Sequence, residues 1–258
     1  MSGAVHAFSD TLVLARRSLL RIPRQPDLLV GFTVQPIMFV LLFVYVFGGA
    51  IETPGFDDYV DFLIPGIIVQ TMVFGGFVTA LGLAEDLKKG LIDRFRSLPM
   101  WGPAVLTGRI LADVGTNVIQ LVVMLVVGIA VGFWFSAGVL EVVAGIALLL
   151  LIGYAFSWVF AFIGLMASSP EASNAYGFTI LFPITFISSA FVPPETMPDW
   201  LQSFAEVNPF TTMVDAARAL FLGTPAGNDV WGAVVWSLVI VAVFAPLSVW
   251  RYRRAVTR

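Results

Sequence analysis

Cysteine is absent from the 258 residues, histidine occurs once, at His6, and Asp, Glu, Lys and Arg together make up only 12% of the chain. An ordinary soluble domain carries roughly 25% charged residues. Each shortage excludes something. Without cysteine there is no disulfide scaffold and no thiolate for metal or redox chemistry. One histidine near a terminus reads as a solvated tail residue, so no metal centre is expected. The lysines, Lys88 and Lys89, follow Leu87 and Lys88, so the Gly-Lys pair of a phosphate-binding loop is missing and ATP is not bound in that way. So little polar surface will not hold the chain in water, which sets aside soluble enzymes and nucleic-acid-binding domains; no nucleic acid is expected as a partner.

What is present is hydrophobic, 59% of the residues, and it is arranged in uncharged runs at 28–51, 62–84, 114–140, 142–170, 172–194 and 230–250. Crossing a bilayer takes about 20 apolar residues at roughly 1.5 Å rise each, and every run is long enough. The expectation is an all-α membrane protein with six transmembrane helices: an N-terminal segment 1–27, a membrane domain 28–250 and a basic tail 251–258. The first run begins near Leu28 and is a full span, longer than the apolar core of a cleaved leader, so it is expected to remain.

Basic residues alternate between the segments joining the runs. Arg16, Arg17, Arg21 and Arg24 precede the first run, Lys88, Lys89, Arg94, Arg96 and Arg109 lie between the second and third, and Arg251, Arg253, Arg254 and Arg258 follow the sixth. Arg218 alone falls on the other side, which is acidic. The positive-inside rule then predicts cytoplasmic N- and C-termini in a plasma membrane protein.

Three segments between the runs are patterned. Phe8, Leu12, Ala15, Leu19 and Ile22 form an apolar stripe beside Arg17, Arg21 and Arg24, an amphipathic helix lying on the inner lipid surface. Leu87, Leu91, Phe95 and Leu98 form one apolar ridge on an otherwise charged cytoplasmic helix, weakened at Gly90 and ended by Pro99. That ridge either docks on a partner or packs on the inner ends of the spans. Beyond the fifth run, Thr196 with Asp199 reads as a capping box, and Asn208 as the N-cap of a helix with Pro209 at its first position and Gly223 as its stop. Two short helices in succession suggest an external re-entrant hairpin.

Polar residues inside spans are costly and mark function or helix contacts. Arg109, Asp113, Asn117 and Gln120 share one helical face. Arg109 is expected to pair with Asp113 one turn on, while Asn117 and Gln120 serve as hydrogen-bonding glue between helices or as the lining of a pathway. Phe178, Phe182 and Phe186 form an aromatic ridge beside Pro183, suited to packing or to a greasy substrate. Gly128 and Gly132 make a GxxxG match. Asp57, Asp58 and Asp61 match the DDxxD spacing with which prenyltransferases hold magnesium diphosphate; a membrane prenyltransferase is one alternative, although no second aspartate cluster completes such a site. An ion-driven carrier is another, but it wants a mid-membrane carboxylate, which the uncharged runs lack.

In four features the chain resembles the membrane subunit of type-2 ABC transporters, close to the daunorubicin-resistance branch of antibiotic and lipid exporters. They are the Arg-rich helix before the first span; the segment from Glu85 through Gly90 to Ser97, Leu98 and Pro99, followed by Gly108 and Arg109; Phe191, Val192 and Pro193 with Met197, Pro198, Trp200 and Leu201; and Asn208, Pro209 and Phe210 with Asp215, Arg218 and Gly223. The resemblance implies a permease, not an enzyme, with no cofactor of its own. It implies two copies of a separate ABC ATP-binding subunit carrying ATP and Mg, and a second permease chain, identical or homologous, within membrane lipid. Glu85, Leu87, Gly90, Leu91, Phe95 and Leu98 would then engage the ATPase, and Arg218 would order the outer hairpin by pairing with Asp215 or Glu206. A hydrophobic or amphiphilic drug or lipid would move outward.

Overall fold

The computed structural model describes residues 26–51, 53, 55, 56, 58–89, 104–225 and 227–256. The expected surface helix over residues 8–22, Asp57, and Gly90, Leu91, Phe95 and Leu98 of the inner ridge lie outside the described residues. The described residues are mostly helical, with no strand among them, in the order α1 (Pro26–Leu42) running into a π-helical turn (Phe43–Phe47), α2 (Tyr59–Phe74), α3 (Phe77–Lys88), α4 (Ala104–Ala130), α5 (Val139–Met166), α6 (Pro170–Phe186), a 3-10 turn (Pro194–Thr196), α7 (Asp199–Val207), α8 (Pro209–Leu222) and α9 (Asp229–Val256).

Four stretches among the described residues are long and apolar enough to cross a bilayer: α2 with α3 as one broken rod of 30 residues, and 25, 28 and 26 residues of α4, α5 and α9. The uncharged runs and the helices do not coincide. α4 begins ten residues before the third run because neither Arg109 nor Asp113 breaks a helix; each finds a partner on α3, as Arg109 pairs with Asp86 and Asp113 Oδ1 accepts from Thr79. α4 also stops ten residues early. Gly132, at φ 107°, turns the chain, and the Phe133 amide folds back onto the Gly128 carbonyl at 2.9 Å. Gly132 therefore ends the helix and does not share a packing face with Gly128, so the GxxxG reading is corrected. The fifth run yields a helix of only 17 residues, α6, about 25 Å of rise. The remainder of that run is a non-helical turn in which Ser188, Ser189, Ala190 and Phe191 are buried.

α5 is the hub and packs against α2, α3, α4, α6, α8 and α9. Small residues let the rods approach backbone to backbone. A Cβ on Gly164 of α5 would lie 2.8 Å from the Ala80 Cα of α3, and one on Gly66 of α2 would lie 2.9 Å from the Ala190 Cα. The rod α2–α3 is broken where it is most crowded. A Cβ on Gly76 would stand 2.7 Å from the Ser157 Cα of α5, and Gly75 lies against the Asn117 amide of α4. Around these contacts Leu63, Ile64, Ile67, Ile68, Met72, Phe160, Met213 and Phe221 form a fully buried core, and a second cluster of Leu83, Leu106, Ile110, Trp158, Leu165 and Tyr252 fills the opposite end of the bundle.

The bundle wears its hydrophobicity outward as well: Val118, Ile119, Val122 and Val126 of α4 and Val235, Leu238, Val239 and Val243 of α9 are exposed, as expected where the solvent is hydrocarbon.

Gly164→Val is expected to destabilise the bundle by about 1–3 kcal/mol, since the obstacle is backbone and cannot rotate away. Gly49→Ala, where nothing stands within 4 Å of the added carbon, serves as the silent control. Melting of the detergent-solubilised protein compares the two.

Candidate functional site

At the inner end by the charge rule, α3 carries Glu85, Asp86, Leu87 and Lys88 into the segment expected to dock on a partner. Lys89 pairs with Glu85 at 2.6 Å, with both side chains about half exposed, a contact worth little by itself. Asp86 is used differently: it takes the Arg109 guanidinium at 2.8 Å, with both side chains 18% exposed. Arg109 lies over Gly82, where any side chain would collide with it. The expected i,i+4 pair of Arg109 with Asp113 is therefore corrected, because the broken rod brings a closer carboxylate from another helix. Leu87 packs against the second cluster, which makes it part of the bundle's inner end.

Further along the same face of α4 stand the other polar residues. Asp113 is 5% exposed and accepts from the Thr79 hydroxyl at 2.8 Å. Asn117 is fully buried between Gly75 of the break and Gly153 of α5. Gln120 is 4% exposed and reaches a cleft of about 30 Å³ between α1, α2, α4 and α6. Gln35, Gln70, Gln120 and Thr71 supply the polar part of the wall; Phe39, Phe74, Phe178 and Phe182 supply the aromatic part. Gln70 is steadied by donating to the Thr185 hydroxyl of α6 at 3.1 Å. Three of the five residues expected along a pathway thus meet in one cleft. Phe186 stands behind it, stacked on Phe182 at 4.2 Å and on Phe191 at 4.7 Å, and Asn117 lies one turn from Gln120, out of the cleft wall. Sequence reasoning missed Gln35 and Gln70; the signal was available, since each is an uncharged polar residue within an apolar run next to a proline or threonine.

The opposite end is organised by Arg218 of α8, which is only 5% exposed. Its Nη1 donates to Asp215 at 2.6 Å, its Nε and Nη2 to the Phe62 carbonyl at 3.1 and 2.9 Å, and its Nη2 also to the Ser189 carbonyl at 2.9 Å. The guanidinium lies over the Phe62 ring at 3.9 Å, a cation–π contact. Ser189 completes the tie by donating its hydroxyl to Asp215 at 2.7 Å. Burial pushes the Asp215 carboxyl above its ordinary range, with Arg218 and Ser189 pulling the other way. Burial also lowers Arg218 to about 10, against the opposing pull of Asp215. Asp215 is the partner of the two candidates expected. Glu206 instead accepts from Gln202 at 2.8 Å.

Asn208 is the N-cap of α8, its side chain accepting from the Phe210 amide, with Pro209 next and Gly223 left-handed at φ 71° as the stop. The apolar face of Phe210, Met213, Val214, Ala217 and Phe221 is buried. The Thr196 and Asp199 capping box is corrected: Pro198 precedes α7, with no side-chain cap, and the Thr196 hydroxyl donates to the Pro193 carbonyl at 2.7 Å. In the DDxxD segment, Asp58 is the N-cap of α2 and accepts from the Val60 amide at 3.1 Å. Among the described residues, no group of three or more acidic or histidine side chains is placed to hold a metal.

Residues 9–222 match the ABC-2 type transporter family. The chain is 38% identical to the daunorubicin resistance ABC transporter permease protein DrrB1 of Streptomyces coeruleorubidus, over 96% of this chain and 87% of that protein. It is 27% identical to the "Probable doxorubicin resistance ABC transporter permease protein DrrC" of Mycobacterium tuberculosis, over 96% of this chain and 90% of that one.

Arg218→Met is expected to cost about 3 kcal/mol, because it leaves Asp215 without its countercharge and two carbonyls without donors. Arg218→Lys restores only part, lacking the planar fork; chemical unfolding of the purified variants in detergent ranks the three. At the inner end, Asp86→Arg with Arg109→Asp together are expected to recover most of the folded yield lost by either reversal alone.

Proposed function

This chain belongs to the ABC-2 type transporter family, as a permease and not an enzyme, and from that premise we propose that it forms half of an ATP-driven exporter of hydrophobic or amphiphilic compounds, antibiotics or lipids. The single observation that carries the substrate side is the cleft between α1, α2, α4 and α6. Its walls hold amides, a hydroxyl and phenyl rings, with no charged side chain. Such walls suit an uncharged, hydrogen-bonding, ring-bearing amphiphile arriving from lipid and disfavour ions and sugars.

In this reading the chain crosses the plasma membrane six times, with α1 and α6 as the first and fifth crossings and both termini in the cytoplasm. α7 and α8 form the outer re-entrant hairpin. Two such chains, identical or homologous, face each other above two separate ATP-binding subunits, which supply ATP and Mg. The segment that begins within α3 at Glu85 and continues through Gly90, Leu91, Phe95 and Leu98 rests in the ATPase surface. Closure of the ATPase pair pushes that segment; the Asp86–Arg109 pair passes the push from α3 to α4, both of which border the polar face leading to the cleft. The cleft walls then separate or close, and the cargo leaves outward along Phe178, Phe182 and Phe186.

Purification of the tagged permease from a native host is expected to bring down a separately encoded ATPase. Leu91→Asp or Phe95→Asp is expected to lose it while inserting normally; unchanged association would overturn the docking assignment. Phe182→Ala is expected to weaken export of a polycyclic amphiphile up to about tenfold in apparent affinity, the size of one lost aromatic contact, in vesicles containing the whole complex.

A further inference from the structure

Six buried side-chain atoms have no hydrogen-bond partner among the described residues, and four of them belong to the polar face of α4: Asp113 Oδ2, Asn117 Oδ1, Asn117 Nδ2 and Gln120 Oε1. Buried polar atoms in native proteins are paired as a rule, so four orphans in one row call for a common cause. Asp113 lies four residues from Asn117, the middle residue of α4, about 6 Å along its axis. The uncharged runs concealed this depth, since a boundary drawn at residue 114 places Asp113 outside the third span.

One cation, Arg109, exerts a Coulombic pull on this carboxyl, but it is shared with a second acid. Arg109, one turn away on α4, gives its guanidinium to Asp86 at 2.8 Å. α3 otherwise brings Glu85 and Lys88 near its far end, where Glu85 takes Lys89. α5 brings only Glu141, in its first turn, and α2 only Asp61, in its first turn. α1 presents no charged side chain over residues 33–42. What faces Asp113 is the Thr79 hydroxyl, donating at 2.8 Å, and the Ser157 hydroxyl, which itself donates to the Gly153 carbonyl at 2.9 Å.

Counting donors and acceptors along the row identifies what is missing. Asn117 Nδ2 can donate to Gln120 Oε1, three residues on. Asp113 Oδ2 and Asn117 Oδ1, four residues apart on one helix face, are both acceptors, and each lacks a donor. One added proton satisfies the two together. Turning the Asn117 amide over would bring a donor to Asp113 but would leave a negative charge inside the bundle whose only nearby cation, Arg109, is already paired with Asp86, the costlier solution. A sodium ion would need five or six oxygens, and the row offers too few.

We propose that Asp113 and Asn117 form a buried monovalent-cation site whose occupant is a proton, held as an O–H on Asp113 Oδ2 that donates to Asn117 Oδ1. The proton is taken from water on one side of the membrane and returned to water when α3 and α4 part. Gln120, three residues beyond Asn117 on the same face of α4, reaches the cleft wall, so the site stands about one helical turn from the cleft. The inference does not depend on export, since its readout is spectroscopic.

Infrared difference spectra of the full-length chain in lipid nanodiscs, wild type minus Asp113→Asn, test it directly. The expected result is a protonated-carboxyl carbonyl band in the wild type at neutral pH that moves in heavy water, is absent from Asp113→Asn, and leaves the variant's melting temperature essentially unchanged, because the amide imitates the neutral acid. Should Asp113→Asn fail to assemble, Asn117→Ser carries the same test, and the band must change frequency when its acceptor changes. A spectrum without the band, a band indifferent to both substitutions, or thermal stability that rises with sodium at constant ionic strength would each overturn the proposal.

Discussion

Helices in a bilayer gain nothing by hiding oil from oil, so they associate only as tightly as their surfaces let them approach. In this molecule that approach runs through a few positions without side chains. Gly164 meets the Ala80 backbone, Gly66 meets Ala190, and Gly76 meets Ser157. Because α5 stands at the centre of these contacts, the polar face of α4, the cleft and α8 all take their positions from it. The fully buried Phe77 and Phe160 then fill what the close approach leaves, meeting edge to face at 5.3 Å.

Buried charge is handled in two ways at the two ends. At one end, a cation from α4 takes an anion from α3, and each keeps part of its surface exposed. At the other, Arg218 is enclosed and uses backbone carbonyls from two other elements as well as its carboxylate. The first pair joins α3 to α4 through a single ion pair. The second knits α8 to α2 and to the turn after α6 with directed hydrogen bonds that tolerate little displacement.

Much of the architecture was legible in the residues, because hydrophobic runs report which segments avoid water. The α8 cap and stop at Asn208, Pro209 and Gly223 were legible for a local reason: those residues act on their own backbone. Helix ends within the runs were not. Charge marks where a side chain prefers to stand, while helix ends follow backbone conformation, so Arg109 and Asp113 were absorbed into α4 and Gly132 ended it early. Partner choice was also hidden, since Arg109 had a plausible mate one turn away and Asp86 approaches only through the fold. The cleft was partly legible through Gln120, Phe178 and Phe182, but Gln35 and Gln70 come from helices whose proximity to α4 and α6 has no trace in local spacing.

Asn208 touches more than the helix it begins. It is at once the C-cap of α7 and the N-cap of α8, and its Nδ2 donates at 2.7 Å to the carbonyls of both Ile184 and Ile187, where α6 gives out. One amide thereby closes three chain ends at a single rivet. Whatever tilts α6 must carry α7 and α8 along with it, so this end of the bundle behaves as a hinged plate and not as two independent flaps.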